Sequence, residues 1–155
     1  MRSPTRGLVL VCAAILGFVA HSASADENLA DVAEQALKAR TAAMQENATA
    51  ADVDRLLSFA ADGVVYEDPV VKMKIDGKDT IRKGMTAFLG ATRNARVVVT
   101  RRIAVDGVVV LQQDVSFEEK QDDAKGTWTP RHRDQVTVFE FEAGKIRRIA
   151  DYWTR

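Results

Sequence analysis

The residues best suited to chemistry lie in the segment Tyr66–Asp68, which is followed by Pro69. A proline disfavours the α-helical backbone for the residue before it, so Asp68 is expected to be extended. Alternation along an extended chain then places Val64, Tyr66 and Asp68 on one face. A carboxyl group held among apolar neighbours has a raised pKa and can exchange protons near neutral pH, which is the chemistry of a general base. The alternative interpretation is a solvated Asp–Pro turn.

Two further polar residues interrupt the apolar faces of predicted strands. Asp151 lies between Ile149 and Trp153 on one face of the last strand, and Gln113 lies on the apolar face of an earlier strand. Burying such a group without a partner costs about 1–3 kcal/mol, so inward-pointing side chains here indicate a pocket rather than a packed core. The alternatives are an ion pair between Asp151 and an arginine at the sheet margin, and a hydrogen-bonded core amide for Gln113.

The sequence gives little support to metal or nucleophile chemistry. Apart from His21 near the amino terminus, His132 is the chain's histidine, so a histidine-rich metal site is not predicted. The cluster Arg131–Asp134 could bind an anion or bridge a dimer, but its composition favours a solvated strand segment. No phosphate-binding glycine loop and no GxSxG motif occurs, and no cofactor is predicted.

The elements that must position Asp68, Gln113 and Asp151 are three helices followed by strands. Apolar residues at helical spacing predict the helices, and β-branched alternating runs predict the strands. The helices are expected over about Leu29–Glu46, Thr49–Ala61 and Lys78–Leu89, and the strands over Val64–Tyr66, Arg96–Val105, Val108–Glu118, Thr127–Glu142 and Ile146–Trp153. Asp106–Gly107 is a strong signal for a two-residue hairpin. This order predicts an α+β domain.

Apolar residues occupy both faces of the predicted sheet. The helices can cover only one of these faces, so the second needs another cover. A second copy of the chain is the simplest such cover, and we therefore predict a homodimer that forms through the outer sheet face.

The amino terminus has the features of a secretory signal peptide. Arg2 and Arg6 precede the uncharged apolar run Gly7–Ala20, and Ala23–Ala25 supplies a small-residue cleavage pattern. Cleavage after Ala25 predicts a secreted or periplasmic domain over residues 26–155, with no membrane attachment after cleavage. The 22 basic and 22 acidic residues of the whole chain balance, and no nucleic-acid partner is predicted.

The ordered motifs of the chain resemble the SnoaL-like and ketosteroid-isomerase-like branch of the NTF2-like superfamily. The resemblance is carried by Leu56–Gly63, Val64–Pro69, Ile75–Ile81, Val136–Phe141, Gly144–Ile146 and Ala150–Trp153. It implies a cone-shaped α+β barrel in which three amino-terminal helices pack on a curved antiparallel sheet around one cavity, commonly as a dimer through the outer sheet face.

The resemblance also implies roles for individual residues. Asp68 matches the base of the Glu-Asp-Pro motif in ketosteroid isomerases, and Asp151 is the best second acid. Ketosteroid isomerases also need an oxyanion hole made of a Tyr and a protonated Asp. The corresponding positions here hold Thr41 or Met44 and Thr137, which cannot replace those donors, so ketosteroid isomerase activity is not expected. The residues expected to contact a ligand are Tyr66, Leu111, Gln113, Val115, Phe117, Gln135, Thr137, Phe139, Ile149 and Trp153.

These observations favour an exported enzyme that transfers protons on a small apolar or amphipathic molecule, as an isomerase, lyase or hydratase without a cofactor. A dimeric ligand-binding protein without catalysis is the alternative, and an interaction module of the same fold is a third interpretation.

Overall fold

The computed structural model describes residues 13–122 and 124–154, and within them three helices pack on one face of a curved six-stranded sheet. The helices are α1 (Ala13–Ala43), α2 (Ala50–Leu57) and α3 (Lys78–Ala87). The strands are β1 (Ala60–Asp68), β2 (Met73–Asp76), β3 (Thr92–Val105), β4 (Val108–Lys120), β5 (Trp128–Glu142) and β6 (Lys145–Trp153). This architecture confirms the predicted NTF2-like α+β cone.

The strands lie in the order β2-β1-β6-β5-β4-β3. Neighbouring strands are antiparallel except β1 and β6, which pair in parallel. The predicted hairpin at Asp106–Gly107 is confirmed, with φ values of 48° and 76°. Ala143–Gly144 forms a second such turn between β5 and β6, with φ values of 49° and 74°. Positive φ at both central residues is the geometry that matches the twist of paired strands.

The apolar core lies between the helices and the inner face of the sheet. On α1 the small residues Ala33 and Ala36 are fully buried, which lets the helix approach the sheet closely. The larger core side chains come from α1, α2, α3 and the strands: Leu37, Val53, Leu56, Leu57, Val64, Ile81, Val109, Leu111, Phe139, Ile146 and Ile149. One end of the cone is therefore closed by apolar packing.

The structure differs from the sequence prediction at several element boundaries, among them the start of α1 at Ala13 and the end of α2, and in one additional strand, β2. The second helix ends at Leu57, and Ala60–Ala61 belong to β1, because Ala60 pairs with Ile146 and strand pairing overrides the helix propensity of alanine. The short strand β2 was missed because Met73–Asp76 lacks β-branched alternation and carries the charges that protect a sheet edge.

The predicted signal peptide falls partly outside the described residues. Residues 1–12 are not described, and cleavage after Ala25 stays a prediction. None of the helices in the described part is long and apolar enough to cross a membrane.

Candidate functional site

The strand registers arrange the inner face of β4, β5 and β6 in rows that become more polar toward one end. The successive rows are Val109, Phe139 and Ile149; Leu111, Thr137 and Asp151; Gln113, Gln135 and Trp153; and Val115 with Arg133. On β1, Tyr66 pairs with Ile149, and Asp68 follows two residues later on the same face. The polar end of the cone is therefore the candidate site.

Asp151 is the centre of a buried hydrogen-bond network at this end and is only 1% exposed. Its Oδ2 accepts hydrogen bonds from Arg40 Nη2 at 2.6 Å and from the Tyr66 hydroxyl at 2.8 Å. Its Oδ1 accepts from Gln135 Nε2 at 2.9 Å and from Thr137 Oγ1 at 2.7 Å. Because an ionised carboxylate has about four acceptor positions, these donors hold Asp151 in one orientation.

The charges in this network determine the protonation of its members. Burial opposes ionisation of Asp151, but the Arg40 charge and the donated hydrogen bonds outweigh it and lower the pKa of Asp151 below its ordinary value. Burial likewise opposes the charge of Arg40, yet Asp151 raises the pKa of Arg40. Burial raises the pKa of Tyr66 to about 12 although Arg40 acts in the opposite direction. At neutral pH Asp151 is therefore ionised and Tyr66 protonated, which suits Asp151 as an electrostatic stabiliser rather than as a proton donor.

Asp68 is also buried, at 7% exposed, and its carboxylate is held by N–H donors. Trp153 Nε1 donates to Oδ2 at 2.9 Å, and the backbone N–H of Val70 donates to Oδ1 at 3.1 Å. The hydrogen bond from the Val70 N–H belongs to the turn expected around Pro69. The burial of Asp68 and its contact with the Trp153 indole are instead typical of an interior side chain. Each oxygen keeps acceptor capacity beyond these bonds.

Beside Asp151 lies a small cavity with a volume of about 10 Å³, which is about the space that one water molecule needs. It is lined by Leu37, Arg40, Thr41, Met44, Val97, Gln113, Val115, Arg133 and Gln135. The Arg133 guanidinium lies 4.9 Å from the centre of a Trp153 ring and 5.4 Å from that of Phe117. Asp68 does not line this cavity. Trp153 lies between them, since it donates a hydrogen bond to Asp68 and its ring packs against Arg133 in the cavity wall.

The predicted ligand contacts face the interior but do not all meet one cavity. Gln113, Val115 and Gln135 line it. Tyr66 and Thr137 instead donate to Asp151. Leu111, Phe139 and Ile149 belong to the apolar core, whereas Phe117 and Trp153 flank Arg133.

Sequence reasoning missed the two partly buried arginines, Arg40 and Arg133. Arg40 lies three residues after Leu37 and four after Ala36, and this helical spacing would have placed it on the buried face of α1. Arg133 alternates in phase with Gln135, whereas its neighbour Arg131 is exposed and pairs with Glu119 at 3.0 Å. The cluster Arg131–Asp134 is thus solvated at Arg131 and turned inward at Arg133.

In the parts of the chain that the structure describes, no group of three or more His, Cys, Asp or Glu side chains is arranged to hold a metal ion. The guanidinium and amide donors at the cavity are instead suited to an oxygen-bearing organic molecule.

Comparison with known protein families matches residues 41–149 to the SnoaL-like domain. The chain belongs to the SnoaL-like family. The predicted resemblance is thereby confirmed, and the match contains both Asp68 and the polar strands β4 and β5. A comparison with functionally curated proteins found no match.

Solved structures share the SnoaL-like fold of this chain at low sequence identity. A proposed SnoaL-like polyketide cyclase from Shewanella denitrificans is 14% identical with a TM-score of 0.67, covering 80% of this chain and 88% of its own. An epoxide hydrolase of the LEH-like type from M. tuberculosis is 19% identical with a TM-score of 0.64, covering 83% and 84%. A proposed ketosteroid isomerase from Kribbella flavida is 16% identical with a TM-score of 0.61, covering 84% and 80%. These likenesses establish the fold.

Proposed function

We propose that this SnoaL-like protein is a cofactor-independent enzyme that transfers a proton on a small, mostly apolar molecule, with Asp68 as the base. The reaction class is that of an isomerase, lyase or hydratase. The observation that carries the proposal is the state of Asp68: the residue is 7% exposed, and Trp153 Nε1 orients its carboxylate by a hydrogen bond of 2.9 Å. A buried carboxylate in fixed orientation with spare acceptor capacity is what a general base requires.

The neighbouring network supplies electrostatic support in this proposal. Asp151 stays ionised and holds Arg40 and the hydroxyl groups of Tyr66 and Thr137 in place. Arg40 also keeps an N–H group, on Nη1, without a hydrogen-bond partner among the described residues. A fixed donor of this kind can stabilise negative charge that develops on a substrate oxygen as Asp68 removes a proton from the adjacent carbon.

A second candidate function is ligand binding without catalysis. The observation that favours it is that Asp68 does not line the cavity of about 10 Å³. A substrate must therefore reach beyond the cavity to Asp68, next to Trp153, before a proton can be transferred. A ligand that is bound without reaction needs only the cavity.

Exchange of substrate C–H hydrogen for solvent deuterium distinguishes the two functions. We would incubate the protein in D₂O with cyclic enones, oxo acids and other carbonyl compounds, and follow the α-hydrogens by NMR. The variant Asp68→Asn keeps the shape of the side chain but removes the base, so we expect exchange to fall by about 10²-fold or more while ligand-induced thermal stabilisation persists.

Asp62→Asn is the matched control, because Asp62 lies on the same strand with a side chain 99% exposed. Its exchange rate should equal that of the wild type. Exchange that persists in Asp68→Asn would exclude Asp68 as the base. Binding without exchange in the wild type would favour the second function.

We further propose that the protein is exported and forms a homodimer through its outer sheet face. Val98 and Tyr152 on that face are 41% and 43% exposed, and burying such residues favours association. Native mass spectrometry of the protein from its own host should show twice the mass of a chain that starts at Asp26. A single-chain mass, or a chain that retains residues 1–25, would refute the corresponding part.

A further inference from the structure

Several buried polar atoms without a hydrogen-bond partner converge on the small cavity near Asp151. Among the described residues, the buried side-chain nitrogen and oxygen atoms without a hydrogen-bond partner are Arg40 Nη1, Arg133 Nε, Gln113 Oε1 and Gln135 Oε1. All of these residues line the one cavity beside Asp151. An unpaired buried donor or acceptor is costly, and native interiors contain few of them. Their convergence on one cavity indicates that a polar group from outside the chain, a water molecule or part of a ligand, completes these hydrogen bonds.

The charge of the cavity wall specifies the sign of that group. Its described lining residues include two cations, Arg40 and Arg133, and no carboxylate. Asp151 lies behind Arg40 and balances its charge at 2.6 Å. Arg133 has no carboxylate within ion-pair distance among the described residues, and it lies against the aromatic rings of Phe117 and Trp153. An anion in the cavity would supply the partner that Arg133 lacks.

The electrostatics of Arg133 agree with this geometry. Burial, followed by the positive charge of Arg40, lowers the pKa of Arg133 from its ordinary value. A guanidinium remains charged in proteins nonetheless. Two cations that repel each other across a cavity are both stabilised by one negative group between them.

The size of the cavity limits what enters it. A volume of about 10 Å³ holds about one water molecule, so only the terminal group of a ligand can enter, and the walls must yield to admit a carboxylate. Met44 in its wall has three rotatable side-chain bonds and can yield to a slightly larger group. A carboxylate has oxygens for the donors on Arg40 and Arg133, and an adjacent hydroxyl group would satisfy the Gln113 or Gln135 oxygen.

We propose that the ligand of this protein is a small organic carboxylate, with a carboxylate bound by Arg40 Nη1 and Arg133 Nε. This inference rests on the proposed function for the site and deepens it: the negative group that Arg40 Nη1 faces is the ligand's own carboxylate, which adds an anionic head group to the mostly apolar molecule. Recognition of the head group does not itself require catalysis.

Matched pairs of acids and neutral derivatives test this inference. The probes are butyrate, acetoacetate, benzoate and 2-hydroxybenzoate, each beside its methyl ester and primary amide, at pH 7 and equal ionic strength. We expect the acids to raise the melting temperature of the wild type and to bind in calorimetry, and the esters and amides to bind about 10–100-fold more weakly. Within the acids, 2-hydroxybenzoate, whose hydroxyl is adjacent to the carboxylate, should bind more tightly than benzoate.

Variants of Arg133 assign the effect to the cavity. Arg133→Met keeps a long side chain against Phe117 and Trp153 but removes the charge, so it should lose about 10–100-fold in affinity for the acids and little for the esters. Arg133→Lys keeps the charge without Nε and should fall between the two. Arg131→Met is the matched control on the same strand, since Arg131 is exposed and pairs with Glu119, and it should bind acids like the wild type.

The outcomes separate this inference from the proposed catalysis. Esters that bind as well as acids, or acids that leave the melting temperature unchanged, would refute it. Equal acid affinity in a folded Arg133→Met and the wild type would refute it as well. Acid binding that depends on Arg133, together with no deuterium exchange in any substrate, would support this inference and refute catalysis by Asp68.

Discussion

The substitution Asp151→Asn tests the central ion pair of the site. Asp151 is 1% exposed and carries the negative charge that faces Arg40 at 2.6 Å. Asparagine has nearly the same shape, so the change removes charge and one acceptor without creating a cavity. Because donors occupy both carboxylate oxygens, the new amide nitrogen faces donors on whichever side it lies.

The magnitude follows from what remains buried. Removing one partner of a buried pair leaves an uncompensated charge and costs about 3–5 kcal/mol. The amide nitrogen can take the side of Gln135 and Thr137, whose side chains can reorient, while the amide oxygen stays on Arg40 and Tyr66. The expected loss is therefore near the lower end, about 3 kcal/mol, or roughly 6–12 °C in melting temperature for a domain of this size.

Urea unfolding followed by far-UV circular dichroism would measure this loss. Asp54→Asn is the control, because the Asp54–Arg82 pair has the similar distance of 2.7 Å but side chains 56% and 43% exposed. An exposed pair contributes about 0–1 kcal/mol. Adding Arg40→Met to Asp151→Asn should recover part of the stability, since it removes the unpaired charge. A loss below about 1 kcal/mol in Asp151→Asn would contradict the buried ion pair.

The remaining predictions concern pH. Because the pKa of Asp151 is lowered in the folded state, the unfolded chain binds the proton first, and stability should fall as pH drops below about 4 and through the lower folded pKa. Asp151→Asn should reduce this loss of stability at acid pH, and an unchanged loss would contradict the lowered pKa of Asp151. The pKa of Tyr66 is raised from 10.0 to about 12, so the folded state retains a proton that the unfolded chain loses, and stability should fall between about pH 10 and 12. Tyr66→Phe should reduce that alkaline loss in thermal melts, and an equal loss would refute it.

Alternation along the strands was sufficient to predict which residues face the interior. Gln113, Thr137 and Asp151 are buried at 1%, 0% and 1% exposure, as expected for the inner face of a sheet covered by helices. Because side chains alternate between the two faces of a strand, burying one face determines which residues point inward. This is why the inward-facing residues of the site could be predicted from the sequence.

The partners of these residues depend on contacts that no local pattern encodes. Arg40 and Asp151 are separated by 111 positions in the chain, and Tyr66 and Asp151 by 85. They meet because β6 returns to lie parallel to β1 and antiparallel to β5, and because α1 crosses the same end of the sheet. The sequence offered arginines at the sheet margin as partners for Asp151, whereas the fold brings Arg40 of α1 to it.

The polarity of the site is not a requirement of the fold. In the row next to Asp151, the strands β4, β5 and β6 contribute Val109, Phe139 and Ile149. The inner face of these strands can therefore be entirely apolar and still pack. Replacing a buried ion pair by apolar residues is often neutral or stabilising, so stability does not account for Arg40 and Asp151. Arg133 has even less structural justification, because it is partly buried without an ion-pair partner among the described residues. A group outside the chain that binds these donors explains both features, and the acid and ester series measures its charge directly.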